Sequence, residues 1–335
     1  MNPEPDRKSM EEIVVIGAGY WGVNHVRNFH ELGALRMVCD TSRPSLERIA
    51  KMFPDIRIEN DFRTALSDEN VRGVVVATPA ETHYQIACLA IEAGKDVLVE
   101  KPLTLDVAEG EQLVKLATER GSILMVGHLL EYHAAVLRLR ELIESNEIGD
   151  LQYIYSNRLN LGKVRREENI LWSFAPHDIA IILRLVGEWP RTIAATGGAY
   201  LQPSIADVTI TNIEFLNGVR AHIFVSWLHP YKEQRLVVVG SKRMAVFDDV
   251  RKEHKLVVYD QGVEFVNGEP VARKNEGIPE SIEAAEPLRR QCLEFLECIE
   301  TRRRPLTDGE SGLRVLRVLD AAERSLAERG RPISL

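Results

Sequence analysis

Cysteine is scarce in this chain. There are four residues, Cys39, Cys88, Cys292 and Cys298, with no CxxC pair and no Cys/His spacing suited to a metal. A disulfide-stapled scaffold and a structural zinc domain are therefore excluded, and Cys39 and Cys88, set in apolar stretches, read as small core residues. No other cluster of His, Asp, Glu or Cys has ligand spacing, so no metal site is expected. Long apolar runs are missing as well. None approaches the ~20 residues that a bilayer requires, and the polar start MNPEPDRKSMEE lacks the apolar core of a signal peptide. The expectation is a cytoplasmic protein with no membrane contact. Positive charge is in deficit, with 42 Lys and Arg against 50 Asp and Glu and a net charge of −8. Neither nucleic acid nor an anionic membrane rewards that balance. The short basic cluster Arg302 to Arg304 reads as the last turn of a helix.

What the chain does have is two rhythms. At 335 residues, 45% of them apolar, it has material for two domains. From Glu12 to about Val126, short β-branched runs (IVVIGAG, ALRMVCD, GVVVATP, KDVLVEKP, SILMVG) alternate with helical spacing. Continuous apolar strands separated by helices make a doubly wound parallel sheet of the Rossmann type. After Tyr132 and one helix over 133–146 the strands alternate apolar and polar residues, and Asn217-Gly218 marks a hairpin. The fold class is α/β: a dinucleotide-binding domain over 1–128, then an α+β substrate and oligomerisation domain over 129–335. The second domain carries a large, mainly antiparallel open sheet. One face of it is expected against helices and the other against a second subunit. The stretch 261–282 reads as a loop, and 284–303 and 309–329 read as closing helices.

Gly17, Gly19 and Gly22 follow the first strand and open a helix, with Tyr20 and Trp21 between them. Glycines there let the backbone turn tightly and approach a pyrophosphate resting on the helix N-terminus. Asp40, with Thr41 after it, ends the second strand 18 residues past Gly22. A carboxylate at that place accepts from both ribose hydroxyls and repels a 2′-phosphate, so NAD is favoured over NADP, although Arg43 stands near enough to meet a phosphate. Glu100, Lys101 and Pro102 end the fourth long strand, where ligands of such sheets bind. Pro102 keeps Lys101 extended, aimed at the nicotinamide; the same residues also read as solvated groups at a strand boundary. Thr78, Pro79, His83 and His128 are further candidates for the cofactor side.

These motifs resemble the glucose–fructose oxidoreductase/inositol dehydrogenase (Gfo/Idh/MocA) family. The matching stretches are GAGYWG (17–22), ATPAETH (77–83), AGKDVLVEKPL (93–103), PHDI (176–179), GSKRMAVFDD (240–249) and EPLRRQCLEFL (286–296). The resemblance implies dinucleotide-dependent redox chemistry on a sugar or polyol, with Lys101 and His177 flanking the reacting hydroxyl. It also implies a homodimer or homotetramer built on the open sheet. Many members carry an aspartate four residues before that histidine, whereas this chain has Ser173. Within the family, RLNLGKVRREENILWSFAPHDI (158–179) and GYWGVNHVRNF (19–29) look like enzymes that oxidise the C3 hydroxyl of a UDP-N-acetylhexosamine. The implied product, a 3-keto nucleotide sugar, would pass to a PLP-dependent aminotransferase making 3-amino sugars for cell-surface polysaccharide or lipid A.

Oxidising a secondary alcohol needs a base within hydrogen-bond reach of the hydroxyl. Desolvation and the nicotinamide charge would lower the pKa of Lys101. His177 and Asp178 are read as opening the helix within 168–187, where the macrodipole would favour a neutral imidazole. Arg158, Asn160 and Arg165 are candidates for a diphosphate or sugar, and Trp172, Ser173 and Asp178 for the same pocket. Two alternatives stand beside this reading: a dehydrogenase of a free sugar or inositol, and a non-catalytic dinucleotide sensor.

Overall fold

The computed structural model describes residues 12–162 and 164–335. Residues 1–11, read above as lacking a signal-peptide core, and Lys163 of the 158–179 stretch lie outside the described residues. The chain divides into two compact units, one running to Leu129 and including Glu286–Leu316, the other comprising Leu130–Ala285 and Arg317–Leu335. A single cut after residue 128 therefore needs correction, because the segment 286–316 returns to the first unit.

The first unit holds strands β1 (Ile13–Ile16), β2 (Leu35–Cys39), β3 (Arg57–Glu59), β4 (Gly73–Val76), β5 (Asp96–Val99) and β6 (Leu124–Val126). They are parallel in the order β3-β2-β1-β4-β5-β6. Helices α1 (Tyr20–Glu31), α2 (Arg43–Met52), α3 (Phe62–Leu66), α4 (His83–Glu92) and α5 (Val107–Arg120) connect them. Every residue of β1, β4 and β5 is buried, which is what unbroken apolar runs such as GVVV require. The order reverses between β1 and β4, so the crevice for a ligand opens beyond the carboxyl ends of those two strands.

The second unit contains α6 (Ala134–Glu144), β7 (Leu151–Leu159), α7 (Ile170–Val186), β8 (Pro190–Gly198), β9 (Val208–Phe215), β10 (Arg220–Ser226), β11 (Glu233–Gly240), β12 (Met244–Asp248) and β13 (Leu256–Tyr259). A hairpin of β14 (Gly262–Val266) and β15 (Glu269–Arg273), then β16 (Gly277–Pro279), occupies the stretch expected to be a loop. Asn267-Gly268 turns that hairpin, both residues at positive φ. The strand signal was masked by glutamate and glycine in an exposed ribbon with no core face to pattern it. α8 (Pro287–Thr301), α9 (Gly309–Ala327) and β17 (Ile333–Ser334) complete the chain.

Among the described residues the large sheet has nine strands in the order β16-β13-β12-β11-β7-β10-β9-β8-β17. Only β7 and β10 run parallel; the remaining neighbours are antiparallel. α7 lies against β7, β9 and β10. Ile154, Ile213, Ile223, Leu236 and Val238 point to that side and are buried. The opposite face exposes Tyr153 and Ile210 and stacks His222 on Tyr155 at 5.2 Å.

Candidate functional site: a dinucleotide cradle and a lysine turn

At the end of β1 the chain turns through Gly17 at φ +97°. A Cβ there would lie 2.6 Å from the Ala77 carbonyl oxygen, and one on Gly22 would lie 1.8 Å from the Gly17 carbonyl oxygen. Both positions exclude a side chain, so the loops after β1 and β4 can touch. Gly19 differs. It is the N-cap of α1, offers no side-chain cap, and has nothing within 4 Å of where its Cβ would be. The first N–H groups of α1 are thus left for an anion, with no acidic side chain in the first turn to compete. This arrangement fits a dinucleotide pyrophosphate. Tyr20 and Trp21 lie beside it, Tyr20 largely exposed.

Asp40 leaves β2 with its carboxylate already oriented. Oδ2 accepts from the Ala18 N–H at 2.6 Å and Oδ1 from the Ser42 N–H at 2.7 Å. Arg48 on α2 donates to the Ala18 carbonyl at 2.6 Å, so Ala18, the central residue of the glycine turn, is held through both its N–H and its carbonyl. Sequence reasoning missed Arg48, which carries no motif and reaches the turn only because α2 folds back. Thr41 is exposed, and Arg43 is exposed and paired with Glu47 on its own helix at 3.1 Å.

Thr78 accepts from the Thr82 hydroxyl at 2.7 Å, and Pro79 caps the short turn that leads into α4. His83 was expected beside the cofactor. It is instead buried, with Nδ1 2.8 Å from the Pro102 carbonyl and Nε2 3.0 Å from the Thr78 carbonyl. Burial outweighs those two acceptors and holds the imidazole below its ordinary pKa. A neutral ring has one N–H, so it donates to one of the two carbonyls at a time while packed between the loops that carry them. His128 is also buried.

The turn after β5 contains Glu100, Lys101 and Pro102, with a cis bond between the last two. The Glu100 carboxylate turns inward, Oε1 lying 2.7 Å from His25 Nε2 and Oε2 accepting from the Lys101 N–H at 3.2 Å. Burial pushes its pKa up, but His25 and Lys101 outweigh burial and leave it below the usual carboxylate value. Glu100 was expected at the cofactor and is a support for Lys101 instead. Lys101 itself is half-buried at the end of the strand.

In the second unit the helix bearing His177 begins earlier than expected. Asn169 is the N-cap, its side chain accepting from the Trp172 N–H at 3.2 Å. His177 and Asp178 therefore sit in the third turn, and Pro176 lies inside the helix. The macrodipole argument for a neutral His177 does not hold, since that effect fades within the first turn. Pro176 misled the reading, because proline favours a first turn but is accommodated here with one backbone bond missing.

Asp178 is buried and does not share a face with His177. Its Oδ2 accepts from Arg158 Nε at 2.7 Å, and Oδ1 accepts from Arg158 Nη2 at 3.1 Å and Ser156 Oγ at 2.6 Å. Arg158, expected to meet a diphosphate, is thereby committed to Asp178 on the α7 side of the sheet. Ser173, four residues before His177, is buried on the same face of α7 as that histidine. Trp172 Nε1 donates to Glu323 at 3.1 Å, and Asn169 Nδ2 donates to the same carboxylate at 2.8 Å. Trp172 thus braces α7 against α9. Arg165 pairs with Glu168 at 3.0 Å, and the Asn160 N–H donates to the Ser226 carbonyl at 3.0 Å.

The chemistry these parts can perform is redox transfer to or from a dinucleotide beside a strand-end lysine. Comparison with known proteins agrees. Residues 12–128 match the profile of the oxidoreductase family with an NAD-binding Rossmann fold, and 136–246 match the GFO/IDH/MocA C-terminal domain. The chain belongs to the Gfo/Idh/MocA oxidoreductase family, and it is an enzyme of that class rather than a sensor. It is 28% identical to a UDP-N-acetylglucosamine 3-dehydrogenase of Acidithiobacillus ferrooxidans over 90% of this chain and 93% of that one. A solved structure of that enzyme has a TM-score of 0.83 and 27% identity, covering 95% of this chain and 97% of the other. GenD2 from gentamicin A biosynthesis, solved in complex with NAD, gives a TM-score of 0.82 at 25% identity over 97% of each chain. A scyllo-inositol 2-dehydrogenase (NAD(+)) of Bacillus subtilis is 25% identical over 75% of this chain and 78% of its own length.

Proposed function

We propose that this protein is an NAD+-dependent dehydrogenase that oxidises the C3 hydroxyl of a UDP-N-acetylhexosamine to a 3-keto nucleotide sugar. The observation that carries the reading is the turn at Glu100 to Pro102, which presents Lys101 at the strand end beyond which the dinucleotide cradle opens. The near full-length likeness to the A. ferrooxidans enzyme supports the substrate class. Bound NAD+ would accept the hydride leaving the carbinol carbon. Lys101 and His177 are the side chains proposed to handle the hydroxyl proton: as the C–H bond breaks, the O–H proton passes to one of these bases and a C=O bond forms. NAD is preferred over NADP because the Asp40 carboxylate, oriented by the Ala18 and Ser42 N–H groups, stands where a 2′-phosphate would need a cation. The remaining parts of the proposal are a cytoplasmic enzyme, a homodimer or homotetramer meeting through the open sheet face, and a PLP-dependent aminotransferase that consumes the ketone.

A second reading has its own support. Arg158 is taken up by Asp178 and Arg165 by Glu168, so two cations proposed for a diphosphate are already paired. A free sugar or inositol needs neither. Incubation with NAD+ and a panel of UDP-sugars, free hexoses and inositols, followed at 340 nm and by product mass, decides between the two. A two-dalton loss confined to a UDP-N-acetylhexosamine is the expected result; oxidation of a free polyol alone would replace the substrate and keep the family.

A further inference from the structure

Three side chains from separate parts of the chain, two of them fully buried, meet behind the Lys101 turn. His25, on α1 three residues past Gly22, is fully buried, with Nε2 2.7 Å from Glu100 Oε1. Cys292, on α8, is also fully buried, with Sγ 3.9 Å from His25 Nδ1. Burial pushes the Cys292 thiol well above its ordinary value, so it stays S–H beside Nδ1. The Glu100 carboxylate can only accept, so Nε2 is the donor of that 2.7 Å bond. The third is Glu100, whose second oxygen accepts the Lys101 N–H. Gly127 makes the space: a Cβ there would lie 2.9 Å from Glu100 Oε2 and 3.1 Å from its Cα. On the far side of Lys101, His83 faces the Pro102 carbonyl at 2.8 Å.

We propose that His25 is a positioning residue for Lys101. Through the Glu100 carboxylate it fixes the main chain of Lys101, and it does so from the same helix that carries the dinucleotide glycines. An apolar residue would fill the volume of His25 without burying a polar pair, which is costly unless the geometry is needed. What an apolar residue cannot do is hold the carboxylate that accepts the Lys101 N–H. The lysine is therefore set by a Cys292–His25–Glu100 relay on one side and by His83 on the other. The proposal rests on the reading of Lys101 as the proton-handling residue, and a misplacement of such a group by about 1 Å costs about 10²-fold in rate.

The test uses the full-length protein and two variants, His25→Leu, which removes the donor, and His25→Gln, which keeps an N–H near the place of Nε2. The first readout needs no sugar: the rate at which isotope-labelled acetic anhydride acylates Lys101 relative to the other lysines, by peptide mass spectrometry. The expected result is a change of several-fold in His25→Leu, restored in His25→Gln, with the NAD+ dissociation constant near wild type in both; the Tm should fall in His25→Leu, which leaves Glu100 without its buried partner, and recover in His25→Gln. The second readout is turnover of whichever sugar the wild type oxidises. His25→Leu should lose kcat by about 10- to 100-fold with KM within about threefold, and His25→Gln should recover most of it. A folded His25→Leu protein that labels Lys101 at the wild-type rate overturns the proposal. If His25→Leu does not fold, Glu100→Leu, which removes the acceptor of the Lys101 N–H, carries the same expectation for Lys101 labelling and the same overturning result. A wild type that oxidises no sugar defeats the functional reading, and the labelling comparison still decides the role of His25.

Discussion

The two units solve the placement of polar groups in opposite ways. In the first, the candidate chemistry stands on backbone: glycines that cannot bear a Cβ, an uncapped helix end, and a strand-end turn holding Lys101 by its own N–H. In the second, it stands on side chains that find one another across the chain, such as Arg158 with Asp178, and Trp172 and Asn169 with Glu323. Backbone sites leave local sequence signatures, because only certain residues fit the required conformation. Side-chain pairs across a sheet and a helix leave none, because many residue types suit the same backbone. The sheets differ in the same sense. β1, β4 and β5 are buried at every residue, whereas β9 and β10 alternate and keep one face open.

The sharpest way to break this contrast is to remove the group the first unit presents. Lys101→Ala should lower kcat by about 10³-fold, within the range general-base removal covers, while NAD+ titration gives a near wild-type dissociation constant. A loss of NAD+ affinity that matched the loss of kcat would make Lys101 a cofactor-binding residue only. The second unit predicts the reverse signature. Asp178→Ala leaves Arg158 mostly buried and unpaired, which costs about 3–5 kcal/mol, and the measurement is the urea midpoint. The double variant Arg158→Met/Asp178→Leu should recover much of that stability, since similar apolar volume often replaces a buried pair without loss. If single and double variants are equally unstable, the pair is not what holds α7 on β7.

Smaller effects sharpen the comparison at the cradle and at a loop. Asp40→Ser should raise the affinity for NADP+ relative to NAD+ by at least about tenfold, about 1.4 kcal/mol, read from paired titrations. An unchanged ratio would move cofactor choice to Arg43 or Arg48. Least in size is an acid effect. Burial pushes the Asp207 carboxyl up, but the N–H groups of Tyr200, Leu201 and Trp227 outweigh it and leave the pKa below the ordinary carboxylate value. A depressed folded-state pKa contributes stability that is present above the ordinary value of about 3.9 and lost as pH falls below it. Urea midpoints from pH 6 down to pH 3 should therefore fall more steeply for wild type than for Asp207→Asn. Parallel slopes would show that the 199–206 loop is not held by charge.

Much of the first unit was legible in the chain itself. The apolar runs fixed the parallel strands, Gly17, Gly19 and Gly22 fixed the turn, and the Lys101-Pro102 step marked the break at the end of β5, because each depends on neighbours in sequence. His25 carried a signal that went unused. It lies on the stripe Gly22, His25, Val26, Phe29, the buried face of α1, and a histidine on a core stripe asks for a buried partner. The inward turn of Glu100 and the burial of His83 and His128 were decided by packing, since nothing in EKP, ATPAETH or VGH says which side of the loop faces solvent. In the second unit, sequence alone gave alternating strands and the Asn217-Gly218 turn. The Asn169 cap of α7, closed three residues on by the Trp172 N–H, was also local and was passed over in favour of Pro176. Tertiary structure decided that Arg158 belongs to Asp178 and that residues 286–316 return to the first unit. Each of those outcomes depends on groups tens to hundreds of residues apart, whose meeting is an energy of packing and charge that no local pattern encodes.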